Sequence, residues 1–359
     1  MTTPYPPLPA DPRWRHFRIS TAVLTVACVA LVLVSVWWGT GGIRVSPLRA
    51  WNTLTDAENA TRLETVTVDA RLSRAVMSIG VGMALAAAGA LLQALYRNPL
   101  ASPEITGVTQ GAVVGVVVFL VYAPTDITVG RTWALPAIGA AGGIVAGILT
   151  YAVAKLGRRV DPLRLILIGV LMGGLLSSLV AIAIIGSGDF SQDLITWTVG
   201  SVQSATWARV RILAIALVVF VPLVIAAIPY ANALSLGDDI AQGAGLAVNR
   251  ARLIVLIAAA ALTAAAVSLV GGISFVGLVA PHLVRRFTGA DLRRLVPTAA
   301  LAGAALVAAA DFVSRNLRPG DLASALGIDE YIRFITLPTG VYLGLIGAPF
   351  FIHILRRRS

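Results

Sequence analysis

The sequence predicts an all-α integral membrane protein: a compact bundle of about ten transmembrane helices with both termini in the cytoplasm. Three observations predict it. Of 359 residues, 57% are hydrophobic and only 13% charged, against roughly 25% charged in soluble domains, and the mean hydropathy is +0.86. Apolar runs of the roughly 20 residues needed to cross a bilayer recur along the whole chain and leave no interval for a soluble domain of ordinary size. Glycines spaced four apart, Gly111/Gly115, Gly139/Gly143/Gly147 and Gly169/Gly173, let helix backbones approach closely in lipid, where packing replaces the hydrophobic effect as the drive for association.

Taken in order, residues 1–18 form a proline-rich cytoplasmic tail that ends in a basic patch, and 19–359 form one polytopic transmembrane domain. The first apolar run, 19–38, is too long for a signal-peptide core and has no small-x-small cleavage site, so an uncleaved span is expected. Further spans are predicted near 73–96, 104–123, 132–155, 163–186, 207–229, 251–269, 273–288, 295–314 and 334–355. With the N-terminus inside, inner ends and loops hold 17 of the 28 basic residues, which satisfies the positive-inside bias. Acids collect in the outer segments 39–70, 187–206 and 315–333.

The net charge of +11 is therefore a topology signal and does not imply nucleic acid. Cys28 is the only cysteine, so no internal disulfide can form and a thiolate metal site is not expected. His282 beside Pro281 is accompanied only by His16 and His353, too few and too scattered for a ligand set; Pro281 is expected to kink its helix. The chain has no G-x-x-x-x-G-K-[ST] loop to cradle phosphates, and no paired intramembrane carboxylates or histidine cluster for proton coupling. It is not expected to be an enzyme, nor to bind a cofactor or metal of its own.

Four local patterns stand out. In LLQALYRNPLASPEITG (91–107), Arg97 obeys the inside rule and Pro99 ends a helix. Ser102-Pro103-Glu104 resembles a helix start, with Ser102 as N-cap. Arg71 and Arg74 share one face of a helix expected to begin there on the outer side. In that position they oppose the helix dipole at about 0.3–1 kcal/mol each, only partly relieved by Asp69 as a possible cap, so an anionic partner is expected, such as lipid phosphate or outer-loop acids. The inner loop 230–250 carries Leu236, Gly237, Asp238, Asp239, Ala241, Ala244 and Gly245, whose glycines suit two short helices joined by a sharp turn. Finally, 316–336 is a long outer segment in which 322–326 could form a short interfacial helix.

Several stretches together resemble the FecCD-like permeases, the iron-siderophore, haem and cobalamin permeases of type II ABC importers. GMALAAAGALLQALYRNPLASPEITGVTQGA (82–112) resembles their signature, including Arg97, Asn98, Pro99, Gly107 and Gly111. Arg71-Leu72-Ser73-Arg74 resembles R-L-P-R; Trp197-Thr198-Val199-Gly200-Ser201 resembles W-x-x-G-S. GGISFVGLVAPHLVRR (271–286) resembles G-x-I-x-F-V-G-L-x-x-P-H-x-x-R through Gly277, Pro281 and His282. Pro338 and Gly340 resemble L-P-x-G, and Pro349 lies in a match to G-x-P-F-F.

The resemblance implies a transport subunit of the bacterial cytoplasmic membrane that moves a metal chelate inward, a ferric siderophore first, with haem or cobalamin as alternatives. It implies a second permease subunit, identical or not, and two ABC ATPases that hold the ATP and Mg. It also implies an extracytoplasmic substrate-binding protein, docked through Arg71, Arg74 and Arg315, while residues 236–245 couple to the ATPase. Pro162 and Leu163 stand where the family narrows its cytoplasmic gate and carries a polar pair. The segment 316–336 is longer than the family's, Thr336 replaces an expected acid, and Ala244 replaces an expected leucine. A stand-alone secondary transporter or channel is the alternative from another class; uptake without an ATPase would distinguish it.

Overall fold

The computed structural model describes residues 13–38, 45–55, 61–122, 128–156, 161–186, 191–317 and 337–356. All regular structure among them is helical: α1 (Arg13–Trp37), α2 (Pro47–Thr55), α3 (Arg62–Leu95), a 3-10 turn at Pro103–Thr106, α4 (Val108–Tyr122), α5 (Thr128–Lys155), α6 (Pro162–Gly186), α7 (Ser191–Val199), α8 (Trp207–Ser235), α9 (Asp238–Gly243), α10 (Val248–Val270), α11 (Val276–Thr288), α12 (Leu292–Asn316) and α13 (Thr339–Arg356).

Every predicted span falls on one of these helices. Among the described residues seven are long and apolar enough to cross a membrane: α1, α3, α5 from Trp133, α6, α8, α10 and α12. The predicted spans 104–123, 273–288 and 334–355 correspond to shorter helices. The first is shortened because Gly107 turns the chain left-handed, φ 77°, before α4 begins. The second starts only after Gly271, φ 80°, and Phe275, φ 67°, have redirected the backbone.

The core is built around α3. The apolar window of α3 is 78% buried, whereas those of α1, α6 and α8 are 17% buried and present apolar faces outward. Glycine sets the closeness of the core. A Cβ on Gly82 would lie 2.2 Å from the Gly303 carbonyl of α12, and one on Gly89 would lie 1.9 Å from the Gly277 carbonyl of α11. The predicted seam residues Gly111 and Gly115 pack α4 on α5 in the same way, against the carbonyls of Gly142, which the predicted seams did not include, and Ile138.

Three local expectations need correction. Helix α3 begins at Arg62, where Thr61 and Glu64 form a reciprocal capping box; Arg71 lies deep inside the helix, so the dipole penalty does not apply to it or to Arg74. Asp69 is no cap, and its carboxylate accepts a hydrogen bond from the Trp207 indole. Ser102 is extended but makes no side-chain cap, and the helical turn after it is 3-10, not the start of α4. The segments 187–190 and 318–336, with the 322–326 expectation, lie outside the described residues.

Candidate functional site

The three arginines singled out by sequence do come together: Arg74 and Arg315 share a carboxylate, and Arg71 lies close enough for its charge to act on Arg315. Arg74 Nε donates to Asp311 Oδ1 at 2.7 Å and its Nη2 to Ser314 Oγ at 3.3 Å. Arg315 Nε lies 3.2 Å from Asp311 Oδ2, and Thr339 Oγ1 donates to Asp311 Oδ1 at 3.4 Å. Asp311 is 1% exposed and Arg71 8%; the side chains of Arg74 and Arg315 are 16% and 10% exposed.

Two of the guanidiniums also serve α1. Arg71 Nη1 donates to the Val36 carbonyl at 3.1 Å and Arg315 Nη1 to the Ser35 carbonyl at 3.3 Å. Those carbonyls are in the last turn of α1, which has no intrahelical partners for its C=O groups and carries the negative end of the helix dipole. The cluster thus fastens α1, α3, α12 and the first residue of α13 at one end of the bundle. Sequence reasoning passed over Asp311 as its hub; the available signal was a lone carboxylate in the alanine-rich run LVAAADFVSR.

The 230–250 loop is a compact protrusion. Helix α8 ends at the Leu236 cap, Gly237 takes φ 119°, and α9 follows for six residues before Gly245, φ 81°, leads to α10. Two short helices were expected; the second limb is instead the first turn of α10. Inside the loop, Ala241 is buried and its carbonyl accepts from Leu246 N at 3.0 Å. Asp238 Oδ2 accepts from Arg252 Nη2 at 2.8 Å, with Arg252 1% exposed. Outward, Leu236 at the end of α8 and Ile240 in α9 are 65% and 60% exposed. A Cβ on Gly237 would lie 3.6 Å from Arg97 Nη1, which sets the 91–107 turn against this loop.

A third junction joins motifs far apart in sequence. Gly340 N donates to the Gly200 carbonyl at 3.0 Å, Gly272 N to the Trp197 carbonyl at 3.0 Å and Ser201 N to the Val270 carbonyl at 2.7 Å. A Cβ on Gly340 would sit 1.9 Å from the Val199 carbonyl. Nearby, Glu104 Oε1 accepts from Phe275 N at 3.2 Å, satisfying one of the unpaired N–H groups at the head of α11.

Residues 24–357 match the model of the FecCD transport family. The chain belongs to this family. It is 33% identical over 337 residues to the Fe(3+)-citrate import system permease protein YfmE of Bacillus subtilis, covering 93% of this chain and 94% of the relative. To the Fe(3+) dicitrate transport system permease protein FecD of Escherichia coli it is 34% identical over 334 residues, covering 93% and 97%. The cobalamin import system permease protein BtuC of Halobacterium salinarum is 36% identical over 289 residues, 80% of this chain and 73% of that protein. A solved inward-facing conformation of a metal-chelate type ABC transporter shares the fold, with TM-score 0.76 at 24% identity over 95% of this chain and 99% of that one.

The remaining signature residues of this FecCD chain act in packing. Asn98 Oδ1 accepts from Leu100 N at 3.0 Å, so Asn98 turns the chain before Pro99. Gly277 admits Pro103, which would lie 2.5 Å from a Cβ there. Pro281 and Pro349 are inside α11 and α13, and His282 meets Phe350 edge to face at 6.0 Å. Gln93, which sequence reasoning missed, bridges α3 to α11: its Nε2 donates to the Gly277 and Leu278 carbonyls and its Oε1 accepts from Arg285 Nη2 at 2.9 Å. Pro162 is the buried first residue of α6, while Leu163 is exposed. Among the described residues no group of three His, Cys, Asp or Glu could hold a metal.

Proposed function

We propose that this chain is the permease subunit of an ATP-driven ABC importer that carries a ferric chelate into a bacterial cytoplasm, with a ferric siderophore as first choice of cargo. The observation that carries the reading is a near full-length match to import permeases of ferric citrate, in a chain with no phosphate-binding loop of its own. The iron(3+)-hydroxamate permease FhuG of Bacillus subtilis, 33% identical over 95% of this chain, supports the same cargo class; haem and cobalamin are the alternatives.

In this reading ten helices span the membrane, both termini face the cytoplasm, and a second permease subunit completes the pathway. Leu236 and Ile240 on the 236–245 protrusion dock into an ATPase subunit that holds ATP and Mg. Nucleotide binding moves α8 and α10 as rigid bodies through the Asp238–Arg252 pair, and the pathway alternates between outward and inward openings. At the opposite end Arg71, Arg74 and Arg315 meet carboxylates of a binding protein, the last two pre-oriented by Asp311. Pro162 and Leu163 narrow the cytoplasmic exit.

Reconstitution tests this. Proteoliposomes holding the chain, its ATPase and its binding protein should accumulate labelled ferric chelate only with ATP. Flux through the chain alone, or uptake indifferent to ATP, would overturn the proposal.

A further inference from the structure

We infer that the groove between α5 and α8 is a binding site for an anionic phospholipid, with an acyl chain lying over α10 and the phosphate meeting Lys155. The groove is a cavity of about 530 Å³ walled by Ile144 and Ile148 of α5, Phe220 of α8, and Leu253 and Ile257 of α10. Its open side is on the membrane face of the bundle, where Ile148 and Ile257 are exposed. The α10 residues that floor it, Leu253 to Ala261, are apolar, and the charged group of the lining stands at one end.

That end carries Lys155, the only lysine in the chain. Arg250 lies one turn before Leu253 on the same face of α10, and Arg164 Nη2 donates to the Leu156 carbonyl at 3.3 Å, just beyond Lys155. Asp161, exposed, precedes α6 by one residue, and Asp238 of the neighbouring loop is engaged by Arg252. Cations at the headgroup end of an apolar channel are the arrangement that selects anionic over zwitterionic lipid. On the orientation proposed above, this is the cytoplasmic leaflet.

A second observation points to a ligand with a polar group one step deeper. Thr150 also lines the cavity and is 5% exposed, yet its Oγ1 has no hydrogen-bond partner among the described residues. Helical threonines ordinarily donate to the carbonyl four residues back. Thr150 precedes Lys155 by five residues, about 7.5 Å along the axis, so a lipid whose phosphate meets Lys155 sets an ester carbonyl at the depth of Thr150, whose hydroxyl reaches it by turning about χ1 from its enclosed place beside Gly107. The hydrocarbon then continues along Ile148, Phe220 and Ile257, where neither a soluble anion nor a polar peptide would be accommodated.

The test uses the full-length chain, purified from membranes in detergent and titrated with equimolar phosphatidylglycerol and phosphatidylcholine of identical chains, then read by native mass spectrometry. Retention of phosphatidylglycerol should exceed that of phosphatidylcholine roughly fivefold, the factor one cation near an anionic headgroup supplies. Lys155→Gln should abolish the preference while leaving some lipid bound, and Ala260→Phe, at a position of α10 that also lines the groove, should abolish retention of both. Equal retention of the two lipids by the unmodified chain, an unchanged preference in Lys155→Gln, or full retention in Ala260→Phe would each overturn the site. If Ala260→Phe does not elute as a monodisperse species, Ile257→Trp replaces it with the same expected loss. No partner subunit or transport is read, so failure here is distinguishable from failure of the importer reading.

Discussion

Arg74 of α3 and Asp311 of α12 meet at 2.7 Å inside the bundle, and the same carboxylate holds Arg315. Removing one partner of a buried ion pair leaves the other charge desolvated and costs about 3–5 kcal/mol. Asp311→Ala should therefore lower the thermal unfolding midpoint in detergent well beyond Asp311→Asn, which keeps an oxygen acceptor. In a double-mutant cycle, Arg74→Met and Asp311→Asn should be strongly non-additive; additive midpoints would mean the pair contributes nothing.

The three arginines should separate by role. Arg71 is the most enclosed and serves the end of α1, so Arg71→Gln should lower stability by about 1.5–3 kcal/mol, the value of a hydrogen bond from a charged group. Arg74 retains exposure; Arg74→Gln should also weaken capture of the binding protein and flatten its dependence on salt. Surface plasmon resonance over a salt series checks this, and parallel salt slopes for Arg74→Gln and the unmodified chain would contradict it.

At the motif junction, Gly340→Ala must push a methyl group to 1.9 Å from the Val199 carbonyl. Backbone cannot yield as a side chain tip can, so the yield of monodisperse protein should collapse. Gly186→Ala, with nothing within 4 Å, should leave the yield unchanged.

Asp238→Ala strips the buried Arg252 guanidinium of its carboxylate. Amide exchange across 236–247 should accelerate markedly while that of α3 stays slow. Unchanged protection in the loop would mean that the pair does not hold it.

Glu104→Leu removes the acceptor of Phe275 N and should cost about 1–3 kcal/mol. Glu104→Gln, which keeps an oxygen there, should recover most of it; equal midpoints for the two variants would deny the bond its part in holding the head of α11.

Helix positions were legible because apolar runs and glycine seams are local. Helix ends were not, where polar turns extend an apolar core. The first eleven residues of α3, from Arg62 to Leu72, fall outside the apolar window, although the Thr61 and Glu64 capping pattern was readable. Arg71, Arg74 and Arg315 were found through motif resemblance, but their inward orientation was not, because Asp311 is 237 residues from Arg74 and a pair so distant leaves no periodicity. Gln93 and Arg252 escaped for the same reason: each is polar within an apolar helix, and only the tertiary partner explains it.

The glycine contacts of α3 with α11 and α12 have a mechanical corollary. Where main chain touches main chain, no rotamer exists that could make room for sliding. These three helices therefore travel as a single spindle, and shape change is left to the thinly buried outer staves, α6 and α8 above all. A disulfide tying α3 to α12 should leave transport intact, whereas one tying α6 to α4 should arrest it.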